Sequence, residues 1–147
     1  MKEKHNKKKK LQIGLRRLYA TQNPSKEILK YLSIDKESFI EYINSKLLDG
    51  MTLENFGSVW GIDHVVPVEL FDLNNEDDLR LCYHFINIIP MFNNDNRFKG
   101  GSVHFSVILL DNNIKKEKEK TNQNILLKLL AKCEEEILCR YSKYLLV

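Results

Sequence analysis

The chain has 147 residues, 43% of them hydrophobic and 29% charged, and a net charge of +3. That is enough for one domain with a real core and little room for a second. No apolar run approaches the roughly 18 residues of a membrane span, and no hydrophobic segment follows the lysine-rich start as it would in a secretory leader, so a place in cytoplasm or nucleus is expected.

The charge is unevenly spread. Residues 1–20 hold six lysines and two arginines against one glutamate, a local +7 set against −4 over the remainder. Lys7, Lys8, Lys9 and Lys10 repel one another with nothing apolar to bury, so residues 1–10 read as a disordered basic arm. Such an arm releases counterions on meeting a polyanion; alternatively it is a solvated tail with no partner. Leu11, Leu15 and Leu18 then recur at helical spacing, with Arg16 and Arg17 on other faces. Asn23-Pro24-Ser25 breaks that segment and Ser25 can cap a second helix carrying Ile28, Leu29, Tyr31 and Leu32. Asp35 caps a third, with Phe39, Ile40, Ile43, Leu47 and Leu48 on its apolar face, ended by Asp49-Gly50.

Residues 62–68 form a short β-rich run around Pro67. A loop follows over 70–78, and a short helix from Asp77 or Asp78 through Phe85. Residues 87–92 form a second β-like run, and 93–100 begin a helix. Val103, Phe105, Val107 and Leu109 alternate, which favours a strand, with helix as the alternative. Residues 114–146 read as one long helix striped by Leu126, Leu130, Cys133, Ile137, Tyr141 and Tyr144. That stripe either packs on the domain or joins two copies as a homodimer. Cys82, Cys133 and Cys139 form no Cys-x-x-Cys pair and read as buried, reduced thiols.

The most informative set is polar. Asp63-His64 stands within Trp60-Gly61-Ile62-Asp63-His64-Val65-Val66-Pro67. Asn87 follows within Asn87-Ile88-Ile89-Pro90-Met91-Phe92, then Asn96-Arg97-Phe98-Lys99-Gly100. An adjacent carboxylate and imidazole can divide two tasks, one holding a metal and one moving a proton; distant amides and a lysine can complete a metal site and grip phosphate. The order and spacing resemble the HNH endonucleases, the ββα-metal or His-Me finger group. The likeness runs from about residue 30 to residue 100, and the lead-in Asp49 to Gly57 is similar to that of phage and viral members.

The resemblance implies an α+β fold. A ββα-metal finger would occupy 59–101, behind a helical lead-in over 11–58 and ahead of a C-terminal extension with a helix over 102–147. It implies His64 as general base, and Asp63 and Asn96 as ligands of one divalent metal ion, best Mg²⁺ and otherwise Mn²⁺. It implies Asn87 as the residue that orients the imidazole, with Lys99 on phosphate and Arg97 either beside it or a surface charge. The substrate would be DNA, cut to 5′-phosphate and 3′-hydroxyl ends, with Arg16, Arg17 and Lys7 to Lys10 contributing affinity. Asn96 stands where many members use histidine, so metal affinity should be modest. Ile86 replaces a frequent threonine. His84, three before the middle asparagine, is expected to pack, and His104 to be exposed. Two rivals remain: a silent finger that binds nucleic acid without turnover, and an interaction protein that docks through its C-terminal helix.

Overall fold

The computed structural model describes residues 2–95 and 103–145. Helix α1 (Lys2–Thr21) comes first, followed by α2 (Lys26–Leu32) and α3 (Lys36–Ser45). Strand β1 (Trp60–His64), α4 (Glu76–Cys82) and strand β2 (Ile88–Phe92) follow, then α5 (His104–Lys116) and α6 (Lys120–Leu145). Short 3₁₀ turns at Val68–Leu70 and Phe85–Asn87 frame α4. The class is α+β, with a two-stranded antiparallel sheet among the described residues. Among the described residues no helix is long and apolar enough to cross a membrane.

The basic arm is helical where disorder was expected. Leu11, Leu15, Leu18 and Tyr19 are buried and nucleate α1, and extension toward Lys2 then adds one hydrogen bond per residue fixed. Lys8 pairs with Glu69, and Lys10 with Glu27 at 2.9 Å, which relieves part of the repulsion. At Gly14 a Cβ would lie 3.2 Å from Ser25 Oγ and 3.3 Å from Ile28 Cβ, so glycine lets α1 and α2 approach closely.

Both expected caps form. Ser25 Oγ accepts from Ile28 N–H at 3.3 Å, and Asp35 Oδ1 from Ser38 N–H at 2.8 Å. Helix α3 stops at Ser45, short of the expected Leu48. The chain turns there instead: Met51 N–H donates to Leu48 O at 3.0 Å, and Gly50 takes a φ of +91° that suits glycine.

In the lead-in, Asn55 ties Thr52 N–H and Gly50 O, both at 2.8 Å, and Trp60 Nε1–H donates to Thr52 O at 2.8 Å. Tyr19, Phe56 and Trp60 form an aromatic cluster with ring centres 4.9–5.3 Å apart, fixing α1 against the start of β1. The first β run is shorter than expected, since the chain bends at Val65-Val66 and Pro67 opens a 3₁₀ turn.

The C-terminal extension differs most from expectation. Residues 104–116 are helix, not strand, and Val103, Ser106 and Leu110 are the positions buried. Spacings of three and four place them on one helical face, and α5 packs against α6. The long helix is divided: Glu117 is extended, and Gln123 Nε2 donates to its carbonyl at 2.6 Å, so α5 and α6 pack as a hairpin. The inward stripe of α6 is Leu126, Leu129 and Cys133, while Tyr141 is 52% exposed. Lys132 bridges both oxygens of Asp78 on α4, at 2.8 and 2.9 Å. Cys82 and Cys133 are buried thiols as expected, but Cys139 is exposed because it falls outside that stripe. One buried cluster runs from Leu11 through Trp60 and Leu79 to Cys133, so the extension shares the core of the sheet.

His84 packs, with its ring stacked on Phe85 and Nδ1 accepting Ile86 N–H at 3.3 Å. Burial pushes its pKa down to about 4. It borders a cavity of about 880 Å³ shared with Asp77, Asp78, Arg80, Glu119, Lys128 and Lys132. Because the folded value lies below the ordinary one of about 6.5, the unfolded chain takes up the proton first as pH falls. The stability His84 contributes is complete above about pH 6.5 and is lost between there and about pH 4. Urea midpoints should fall over that window, and His84→Gln should flatten the fall; an unchanged slope in the variant would refute this assignment.

Candidate active site at the end of strand β1

The strand pairing sets which way each site residue points. Trp60 lies opposite Phe92, Ile62 opposite Pro90, and His64 opposite Ile88. The ladder continues one pair past each end, through Asn93 N–H to Val59 O at 2.9 Å and Val65 N–H to Asn87 O at 2.8 Å. The odd-numbered residues of β1 therefore exchange hydrogen bonds with β2, and the even-numbered ones do not. Pro90 sits at one of those silent positions, where its missing N–H costs nothing. Ile62 O, turned away from β2, accepts from Gln12 Nε2 of α1 at 3.1 Å.

Alternation sends Trp60, Ile62 and His64 inward and Asp63 outward. His64 is 3% exposed, whereas the Asp63 side chain is 60% exposed. The chain bends after His64, at Val65-Val66, and not between the two residues. His64 Nδ1 lies 3.9 Å from Asp63 Oδ1, inside charge-pair range but too long for a hydrogen bond. Asp63 Oδ1 accepts from the His64 N–H at 2.8 Å. Partial desolvation raises the Asp63 pKa, but the neighbouring His64 ring and N–H together with the Arg16 guanidinium outweigh it, and the net shift is downward. The carboxylate is thus ionised at neutral pH.

The imidazole is held but not satisfied. It meets the Tyr83 ring edge-on, centres 4.9 Å apart. Its Nε2 is buried without a hydrogen-bond partner among the described residues, and so is the Tyr83 hydroxyl. A buried polar atom left unpaired costs about 1–3 kcal/mol, and such exceptions call for an explanation.

Asn87 is fully buried and clamps the turn after His64. Its Oδ1 accepts from Val66 N–H at 2.8 Å; its Nδ2 donates to Cys82 O at 2.9 Å and Val66 O at 3.3 Å. From the other side, Ser106 Oγ of α5 donates to Val65 O at 2.6 Å. Val65 and Val66 are therefore fixed by β2, by Asn87 and by α5 together. Ser106 and Gln12 were not singled out in the sequence. A serine within an apolar run gives a faint hint of burial, and Gln12 gives none.

Beside Asp63 opens a pocket of about 270 Å³, lined by Arg16, Gly57, Gly61, Asp63, Phe92 and Asn93. Arg16 and Arg17 are both exposed, but only Arg16 borders this pocket. Lys7 to Lys10 lie further back along α1. Asn96, Arg97 and Lys99 lie outside the described residues, as does most of the expected finger helix; Asn93-Asn94 before it form a turn. Among the described residues no group of three or more His, Cys, Asp or Glu gathers as a metal cluster.

Two relatives are uncharacterized proteins of Acanthamoeba polyphaga mimivirus. One is 35% identical over 95 residues, covering 65% of this chain and 39% of the relative. The other is 31% identical over 128 residues, covering 80% of this chain and 57% of the relative. The chain thus spans well under two thirds of either relative's length. No family model matches the chain, and no solved structure matches it.

Proposed function

We propose that this chain is a metal-dependent endonuclease of the HNH, or His-Me finger, type that hydrolyses DNA phosphodiester bonds to 5′-phosphate and 3′-hydroxyl ends. One observation carries the reading: a buried imidazole nitrogen without a partner among the described residues, next to an exposed ionised carboxylate, on a turn pinned by a buried asparagine. A fold bears the cost of an unpaired ring nitrogen where that nitrogen has a proton to take.

In this reading His64 removes the proton from the attacking water. Asn87 acts through His64, holding the turn that carries the ring. Asp63 fits a divalent ion: its Oδ2 accepts no hydrogen bond among the described residues, and the side chain opens on solvent. With Asn96 it would hold Mg²⁺ or Mn²⁺ through oxygen, leaving places for water and phosphate. When bound, such an ion polarises the phosphate and stabilises the departing 3′ oxygen. Lys99 and Arg97 would contact phosphate, and the basic first helix would supply salt-sensitive affinity.

A supercoiled plasmid incubated with Mg²⁺, Mn²⁺ or EDTA tests this directly. Nicking is expected in either metal, none in EDTA, and Asp63→Ala should need far more metal or fail. No cleavage in any metal, with salt-sensitive DNA binding intact, would favour the silent finger instead. A second reading draws on α6, where Leu127 and Leu138 are 51% and 68% exposed. A homodimer through that face would linearise the plasmid early, where a monomer would accumulate nicks.

A further inference from the structure

We infer that α1 is a rigid docking element for duplex DNA, and that one of its faces, carrying Lys2, His5, Lys9 and Arg16, leads the phosphate backbone to the site at Asp63. The inference rests on the nuclease reading, since it takes Asp63 to mark where a phosphodiester lies. Three observations support it. First, the basic segment is helix from Lys2 and is fixed to the site by Gln12, whose amide holds the carbonyl of Ile62, the residue before Asp63. Second, Arg16, one turn after Gln12, lines the same pocket as Asp63. Third, the charges on α1 are not equivalent.

At 3.6 residues per turn, His5 and Lys9 fall within about 20° of Arg16 on either side around the helix, and Lys2 within about 40° of it. Arg17 and Lys10 share a different direction, about 100° away. Lys10 is paired with Glu27, and Lys8 with Glu69. Lys2, Lys9 and Arg16 hold no ion pair among the described residues, and Lys9 and Arg16 are exposed. Lys4, Lys7 and Arg17 also hold no ion pair among the described residues but scatter around the other faces, so the aligned unpaired charge is one stripe about 20 Å long that ends at the pocket. A B-form strand advances about 3.4 Å per phosphate, so the stripe matches roughly six phosphates. The remainder of the chain is net negative, so positive charge is concentrated on α1.

The test compares two double variants of the full chain that remove the same charge from different faces. One is Lys9→Gln with Arg16→Gln, the other Lys10→Gln with Arg17→Gln. Affinity for a short DNA duplex of mixed sequence is measured by fluorescence anisotropy in EDTA across a salt series, after circular dichroism has shown equal helicity. The first pair should weaken binding tenfold or more and lower the salt slope by about 1.8, at about 0.9 for each phosphate no longer neutralised. The second pair should weaken binding less than threefold and lower the slope by well under one. Uncovering Glu27 works against that difference, so a positive result is conservative. Equal losses in both pairs would mean that only net charge matters and would overturn the docking face, as would no loss in either. Wild-type plasmid nicking with face-blind binding would sink this inference alone. Face-selective binding without nicking would sink the nuclease reading alone.

Discussion

Replacing His64 by alanine should reduce metal-dependent plasmid nicking by about 10²- to 10⁴-fold, the contribution usual for a general base. The fold should survive. His64 Nε2 makes no hydrogen bond among the described residues, so truncation removes an unsatisfied nitrogen. The change takes away the edge-on packing against Tyr83 and the charge-range contact with Asp63, and leaves a cavity where a buried ring stood, together about 2 kcal/mol. Urea unfolding should therefore shift by about 2 kcal/mol at most while turnover collapses by far more. Parallel loss of stability and activity would instead assign His64 to the core. Full activity in the variant would remove it from the mechanism.

Asn87→Ala should behave in the opposite manner and unfold the chain more easily. Its amide makes three buried hydrogen bonds, and the variant would leave Val66 N–H, Val66 O and Cys82 O without them. At about 1–3 kcal/mol for each stranded group, a loss of about 3 kcal/mol or more is expected. The turn behind His64 would loosen with it, so activity should fall even at temperatures where the variant is folded. Asn87→Asp can still accept from Val66 N–H but cannot donate to the two carbonyls, and should not restore stability. Denaturant midpoints of the two variants decide the matter: a change below about 1 kcal/mol in Asn87→Ala would contradict the clamp.

Much of the local structure was legible in the residues. Ser25 and Asp35 read as helix caps because a short side-chain oxygen ahead of an apolar-periodic run can take an orphan N–H, and both do so. The two β runs and the short helix between them were visible from apolar clustering and breakers, to within a few residues. The pairing of Asp63-His64 with a distant asparagine was visible as a pattern of chemical types. That Asn87 would grip the turn after His64 is geometry the pattern suggested and the hydrogen bonds describe.

Other features were not legible. Val103, Phe105, Val107 and Leu109 alternate as a strand would, yet the segment is helix. Periodicity over so few residues is ambiguous, and the segment packs as a helix against α6. The lysine run looked disordered because local repulsion is visible in a sequence, whereas Glu27 and Glu69, which offset it, are distant in the chain. Types, caps and apolar periods are local properties, written into neighbouring residues and readable there. Which face of β1 is buried, which arginine meets Asp63, and that Ser106 and Gln12 hold the strand and its turn are consequences of long-range packing. They depend on where α1, β2 and α5 meet, and no spacing along the chain encodes that meeting.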